Sequence, residues 1–227
     1  MKINIIMFIL LAVSLYGKPQ FLISIPESSK GLEVVENTRE ILKKSLSELG
    51  YEADFIYLPD ERSIRKVDMG ECDGEFLRIR NTIEKYSNLV IVNEPIIIMR
   101  IYAYTINESD KNINWEKLKN YRVAVIFGNK LVERNLKNQM NKGVFEQVKD
   151  YNSAFKMLEK KRVDYVIMES VMLKKERENI FFGKIKNLKR AEPYLIETEM
   201  YFSVNKNHSY LADKLADIIR KIKKESK

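Results

Sequence analysis

Short apolar runs alternate with segments of helical periodicity along the chain. Near the start, an apolar run at residues 21–25 is followed by apolar residues at i, i+3 and i+4 spacing from Gly31 to residue 49. Gly50 suits the end of that helix, and a second apolar run follows at residues 53–58. This strand–helix–strand order predicts a mainly parallel sheet with helices on both faces.

The same alternation continues to the C-terminus. Further strands are predicted at residues 88–92, 96–105, 122–126, 144–148, 163–168 and 199–204, with residues 72–74 as a brief strand or turn. Helices are predicted after caps at Asp60, Asn152 and Ser170, at residues 115–118, after Gly128 and Asn129, and over residues 212–222.

A polar break at residues 107–112 separates two blocks of this pattern. Each block is small for a stable core of its own, so the last strand and helix are expected to return and complete the first block. We therefore predict an α/β protein with one lobe at residues 18–104 plus 197–227 and a second lobe at residues 105–196.

The N-terminus has the features of a secretory signal peptide. Lys2 precedes an uncharged, mostly apolar stretch over residues 3–17, which as a helix would be ~22 Å long, short of the ~30 Å hydrocarbon core of a bilayer. We predict a signal peptide at residues 1–17, cleaved after Gly17 or slightly earlier, after Ser14. A buried N-terminal strand or core helix is the alternative. With no second apolar run long enough to span a membrane, the sequence predicts a periplasmic or secreted protein. We also expect it to be a monomer.

Charge and composition exclude several function classes. The net charge is +8, but the 40 Lys and Arg residues are interleaved with 32 acids, and a solvated terminal helix explains the basic cluster at residues 220–224 better than nucleic-acid binding does. A single Cys and a single His exclude a disulfide framework and the common Cys- or His-rich metal sites, and make a Ser-His-Asp triad improbable. We expect no metal, no cofactor and no catalysis.

Four segments, in order, resemble a known family: residues 70–79, 86–96, 115–125 and 158–167. They are similar to the bacterial extracellular solute-binding proteins of family 3, the periplasmic amino-acid-binding type, over about residues 20–224. The resemblance implies a type II periplasmic-binding fold, with two α/β lobes joined by hinge strands near residues 101–105 and 199–204. It also implies closure on a small polar solute, such as an amino acid, and docking to the membrane permease of an ABC-type uptake system.

Ligands of open α/β sheets bind beyond the carboxyl ends of the strands. On that basis, and on the resemblance, the candidate ligand-binding residues are Glu27, Ser28, Asp73, Arg78, Glu94, Arg100, Gly128, Asn129, Lys130 and Glu169. A zwitterionic solute needs a guanidinium for its carboxylate and an acid for its ammonium, each charge-assisted hydrogen bond contributing about 1.5–3 kcal/mol.

The resemblance assigns Glu169 to the family position that binds the substrate amine, although a solvated acid beside a helix N-terminus fits the residue equally well. Arg78 is the preferred carboxylate ligand, with Arg80 and Arg100 as alternatives. Typical amino-acid binders carry Thr-x-x-Arg about a dozen residues after the Asp that Asp73 matches, whereas Arg78 follows Asp73 by only five residues. Asp73 itself also suits a structural turn.

Two other functions fit the same resemblance. One is a cyclohexadienyl or arogenate dehydratase of this fold, in which Glu169 or Glu94 would act as the acid. The other is an orphan sensory or interaction domain whose cleft has lost its ligand.

Overall fold

The computed structural model describes residues 17–107, 112–139, 145–170 and 185–225. The predicted signal peptide, except Gly17, and the helix predicted after Ser170 lie outside these residues. The chain divides into two compact units. The first contains the residues up to Gly31, Val35–Ile96 and Met200–Lys227, and the second contains Leu32–Val34 and Ile97–Glu199.

The first unit is built on a sheet with the strand order β2-β1-β3-β10. Strands β1 (Gln20–Pro26), β2 (Glu52–Leu58) and β3 (Gly74–Ile79) are parallel, and the end of β10 (Ile196–Asn205) pairs antiparallel with β3 and with β4 (Leu89–Ile91). The helices are α1 (Glu33–Glu48), α2 (Asp60–Asp68), α3 (Arg80–Ile83) and α7 (Ala212–Glu225), with 3₁₀ turns at Glu27–Ser29 and Lys206–Leu211.

The second unit repeats this plan with the strand order β5-β8-β6-β7. Strands β6 (Val123–Ile126), β7 (Phe145–Val148) and β8 (Tyr165–Glu169) are parallel, whereas β5 (Ile97–Thr105) pairs antiparallel with β8 and with β9 (Lys189–Arg190). Its helices are α4 (Trp115–Leu118), α5 (Lys130–Gln139) and α6 (Tyr151–Glu159). The mainly parallel α/β fold predicted from the periodicity is therefore confirmed.

Alternate residues of the strands in the second unit enter two different core layers. Val123, Val125 and Tyr165 pack in one layer, whereas Ala124 and Val166 pack in the other. Successive side chains of a strand point to opposite faces, so both faces of this sheet are covered. The coverage explains why these strands are continuous apolar runs in the sequence.

Three local predictions need correction. The third strand is β3 (Gly74–Ile79), not residues 72–74, because the polar Glu75 and Arg78 interrupt its apolar pattern although Glu75 is fully buried. The N-cap of α6 is Asp150, whose carboxylate accepts from the Ser153 N–H at 2.7 Å, rather than Asn152. Asp60 is the first residue of α2 and follows Pro59 at the cap position.

Among the described residues, no helix is long and apolar enough to cross a membrane.

Candidate functional site

Glu169 ends β8 at the carboxyl edge of the sheet in the second unit. The parallel register of β6 and β8 pairs Val123 with Tyr165 and Ala124 with Val166. Continued with the same offset, this register puts Phe127, the residue after β6, level with Glu169. The carboxyl edge of adjacent parallel strands is where open α/β sheets bind ligands.

The carboxylate of Glu169 is held by two neutral donors. The Asn129 side-chain amide donates to one oxygen and the Tyr151 hydroxyl donates to the other. Burial, followed by the adjacent Glu169 charge, raises the pKa of the Tyr151 phenol, which therefore stays protonated and remains a donor. Neutral donors orient a carboxylate without cancelling its charge, and within the described ranges no Lys or Arg forms an ion pair with Glu169.

The N-terminus of α5 lies beside this carboxylate, and side chains of the same unit accept hydrogen bonds from the backbone there. Asn129 is the residue before α5, and its side-chain oxygen accepts from the Val132 N–H at 3.2 Å. Gly128, at φ +83°, donates its N–H to the Glu133 carboxylate at 2.8 Å. Lys130, the first residue of α5, has a side chain that is 86% exposed. Among the predicted site residues Gly128, Asn129 and Lys130, Asn129 is the one that bonds to Glu169.

Sequence reasoning did not select Tyr151 or Phe127 as site residues. Phe127 is 71% exposed although it is aromatic and directly follows a buried strand. An aromatic residue before Gly-Asn at a predicted strand end is the signal that could have identified it. Tyr151 carried no such signal, because its contact with Glu169 joins residues 18 positions apart.

At the carboxyl edge of the first unit, Arg78 belongs to a largely buried polar cluster. Its Nε donates to Glu75 at 2.6 Å, and its Nη2 donates to the Asp60 carbonyl at 2.6 Å. The other Glu75 oxygen accepts from the Ser24 and Ser63 hydroxyls, each at 2.7 Å. Burial raises the pKa of Glu75, and the Arg78 charge and these hydrogen bonds offset only part of that effect.

Ser28 and Glu27 lie near the same edge of the first unit, in the 3₁₀ turn after β1. The Ser28 hydroxyl donates to the Asp60 carboxylate at 2.6 Å, and its N–H donates to the other oxygen at 3.2 Å. Glu27 is exposed. Asp60 thus connects the predicted residues Ser28 and Arg78 through its side chain and its carbonyl respectively.

Asp73 and Glu94 form contacts elsewhere in the first unit. Asp73 lies at the amino end of β3, where its carboxylate accepts from the Leu22 N–H at 2.7 Å and contacts His208 Nε2 at 2.8 Å. Glu94 pairs with Lys223 at 2.6 Å and Arg220 at 3.1 Å. Burial alone would raise the pKa of Glu94, but these two cations lower it.

Arg100 lies next to Ser170 but faces away from Glu169. Ile101 pairs with Glu169 across β5 and β8, so Arg100, one position earlier, faces the other side of the sheet. The Arg100 guanidinium bonds to Glu197 at 2.7 Å and lies 5.3 Å from the centre of the Tyr194 ring. Its backbone N–H donates to the hydroxyl of Ser170, the residue directly after β8, at 3.2 Å.

Sequence comparison identifies one relative and no family. No family model matches the chain. A protein of Shewanella oneidensis, named only as uncharacterized, is 28% identical over 189 residues, which cover 82% of this chain and 70% of the relative.

Comparison of structures is more informative. The arginine-bound form of a truncated arginine-binding protein from T. maritima superimposes with a TM-score of 0.60, at 17% identity, over 89% of this chain and 96% of that one. The substrate-binding protein of an amino acid ABC transporter has a TM-score of 0.60, at 15% identity, over 92% and 95% of the two chains.

A histidine kinase sensor domain with similarity to periplasmic binding proteins has a TM-score of 0.62, at 14% identity, over 92% of each chain. At these identities the likeness shows the fold alone. The chain therefore has the fold of the periplasmic amino-acid-binding proteins, which confirms the fold implied by its resemblance to solute-binding proteins of family 3.

Proposed function

We propose that the protein is an extracytoplasmic solute-binding protein that captures a small polar solute through an amine group, without catalysis. The observation that supports it best is Glu169, a half-buried carboxylate at the carboxyl edge of the second unit, oriented by Asn129 and Tyr151. The shared fold with an arginine-binding protein and an amino-acid transporter component adds support.

The chemistry of Glu169 suits a cation. A carboxylate removed from water is stable only when it is hydrogen-bonded or paired. Two neutral donors satisfy part of its hydrogen-bonding capacity, and each oxygen retains acceptor capacity for a further donor. A solute ammonium would add charge-assisted hydrogen bonds of about 1.5–3 kcal/mol each. Glu169 therefore has the role in this proposal that the resemblance assigns to it.

Replacement of Glu169 by Gln should weaken amine binding by roughly 10- to 100-fold, because it removes the charge while keeping the shape and one acceptor. The measurement is isothermal titration with the amine that gives the largest thermal shift in a screen of amino acids, polyamines, sugars and organic acids. A ligand at a hundredfold excess over Kd adds about 2.7 kcal/mol to the free energy of unfolding.

Glu159→Gln is the matched control. Glu159 is an exposed acid at the end of α6 in the same unit, so its replacement changes the net charge equally and should leave binding unchanged. Tyr151→Phe should give a smaller loss than Glu169→Gln, because the carboxylate keeps its charge and loses one orienting donor. Equal binding by Glu169→Gln and the unaltered protein would contradict the proposal.

The export and transport parts of the proposal rest on the N-terminal sequence and on the fold. A purified mature chain that begins near Lys18, recovered from outside the cytoplasm, would support export. Loss of uptake of the bound solute after deletion of the gene would support delivery to an ABC-type permease. An uncleaved N-terminus in the cytoplasmic fraction would contradict both parts.

A sensory role is the second candidate, since a histidine kinase sensor domain has the same fold. Such a domain would bind ligand without supporting uptake, so the deletion experiment separates the two.

The dehydratase alternative receives less support. Lys223 and Arg220 hold the pKa of Glu94 below its usual value, so this carboxyl stays ionised and is a poor proton donor. Prephenate incubated with the protein should be recovered unchanged.

A further inference from the structure

We propose that the solute is an amine that lacks a carboxylate, such as a diamine or a guanidino-amine, rather than an α-amino acid. This inference rests on the proposed function and names the substrate class of the same site. It follows from a difference between two kinds of predicted ligand-binding group. The arginines that could bind a carboxylate are already engaged by groups of the protein, whereas Glu169, which could bind an amine, has neutral partners among the described residues. In the described part of the chain, acids of the protein already pair with two of the three predicted anion receptors, Arg78 and Arg100. The third, Arg80, is engaged by the Asn93 side chain and the Tyr201 ring.

Arg78, the preferred carboxylate ligand, is neutralised within the first unit. Glu75 is fully buried and contacts Arg78 Nε at 2.6 Å, while a second guanidinium nitrogen is used by the Asp60 carbonyl. A ligand carboxylate would compete with a carboxylate that has no access to water. Since an uncompensated buried charge is costly, displacing Glu75 is strongly unfavourable.

Arg100, one of the two alternatives, is neutralised within the second unit. Its guanidinium pairs with Glu197 at 2.7 Å and stacks on Tyr194. It also faces the side of the sheet opposite to Glu169, by the pairing of Ile101 with Glu169. The Arg100 guanidinium is thus already satisfied by groups of its own unit.

The N-terminus of α5 is weakened as an anion site by a nearby carboxylate. Helix N-termini bind carboxylates through free N–H groups and the helix dipole. Here the Glu133 carboxylate accepts from Gly128 N–H, and the Asn129 side chain accepts from Val132 N–H. Glu133 thus adds a negative charge at this terminus. Lys130 is 86% exposed and lies 4.0 Å from Glu133, and exposed ion pairs of this kind contribute little.

Glu169, unlike Arg78 and Arg100, forms no ion pair within the described ranges. Among the described residues its partners are neutral, so its charge is available to a cation. Phe127, level with Glu169 by register and 71% exposed, offers an aromatic surface for a methylene chain or a second cation. The carboxyl edge of the second unit therefore has a receptor for a cation and an apolar surface.

Two matched ligand pairs test the inference: agmatine against arginine, and cadaverine against lysine. Each pair differs only by the carboxylate. We expect the protein to bind agmatine and cadaverine at least tenfold more tightly than arginine and lysine, measured by titration calorimetry at one pH and one salt concentration. Arginine or lysine binding as tightly as its decarboxylated partner would overturn the inference.

Two variants separate the possible failures. Glu133→Gln removes a negative charge beside the α5 N-terminus and keeps an acceptor for Gly128. It should narrow the preference for agmatine over arginine by about threefold, and an unchanged preference would contradict the role given to Glu133. If arginine binds more tightly and Glu169→Gln weakens it, the proposed function stands and this inference fails. If none of the four amines binds, this inference fails, and the proposed function is then decided by the Glu169→Gln titration with the amine found in the screen.

Discussion

Replacing Arg78 with Met should lower the free energy of unfolding by roughly 3–5 kcal/mol near neutral pH, because it leaves the Glu75 carboxylate buried without a cation. Glu75 has no exposed surface, and of its partners only Arg78 is charged; the others are the Ser24 and Ser63 hydroxyls. Denaturation by urea, followed by circular dichroism, measures the change.

The loss should depend on pH in a defined direction. Burial already raises the pKa of Glu75 in the folded protein, and removal of the Arg78 charge raises it further. Folded Glu75 therefore holds its proton at pH values where the unfolded chain, with a Glu pKa near ~4.3, has lost it. The stability of the Arg78→Met variant should be highest below the unfolded pKa and should fall as the pH rises through the folded pKa.

A double variant provides the decisive control. Glu75→Gln combined with Arg78→Met removes both charges and allows the new side-chain amide to keep hydrogen bonds with Ser24 and Ser63, so most of the lost stability and the pH dependence should return to the values of the unaltered protein. Arg80→Met is the matched single control. Arg80 is half-buried, bonds to Asn93 and lies over the Tyr201 ring, and it forms no ion pair among the described residues. Its loss should therefore cost less than that of Arg78, about 1 kcal/mol. Equal effects of Arg78→Met and Arg80→Met would contradict the assigned role of Glu75.

Replacing Gly74 with Val should destabilise the first unit by about 3 kcal/mol, at the upper end of overpacking effects. A Cβ atom at Gly74 would lie 2.5 Å from one carbon of the Phe202 ring and 3.1 Å from a carbon of the Phe21 ring. Both rings are fully buried, so neither can move aside freely. Thermal and urea denaturation give the size of the effect.

A size exchange tests the physical reason. Gly74→Ala alone should be destabilising, and Phe202→Leu in the same chain should recover part of the loss, because it removes the ring atoms nearest to the new methyl group. If the double variant shows the sum of the two separate losses, the contact with Phe202 is not the cause. Since Gly74 lies between Asp73 and Glu75, the Gly74 variants should also weaken the polar cluster around Arg78.

Secondary structure and fold class follow from the sequence because they depend on local periodicity. The strand residues that face a core, such as Val123 and Val166, form continuous apolar runs, and the helices between them show 3.6-residue spacing. The order of these elements predicts parallel sheets. The predicted bounds were wrong at β3, where buried Glu75 and half-buried Arg78 hid a core strand that the sequence placed only as a brief strand or turn at residues 72–74. A buried ion pair in a strand has no periodic signature.

Which charges are available for a ligand was decided by the tertiary structure alone. The sequence placed Arg78 and Glu169 near strand ends and Arg100 within a strand, but their partners Glu75, Glu197 and Tyr151 were not identified. Two of these contacts join residues 97 and 18 positions apart, and no local pattern encodes them. Whether a charged side chain can bind a ligand depends on which neighbouring groups already form ion pairs or hydrogen bonds with it. Tertiary packing brings those neighbours together. The sequence thus determined the elements and their order. The folded chain determined that Arg78 is paired with Glu75, whereas Glu169 has only neutral partners among the residues that the structure describes.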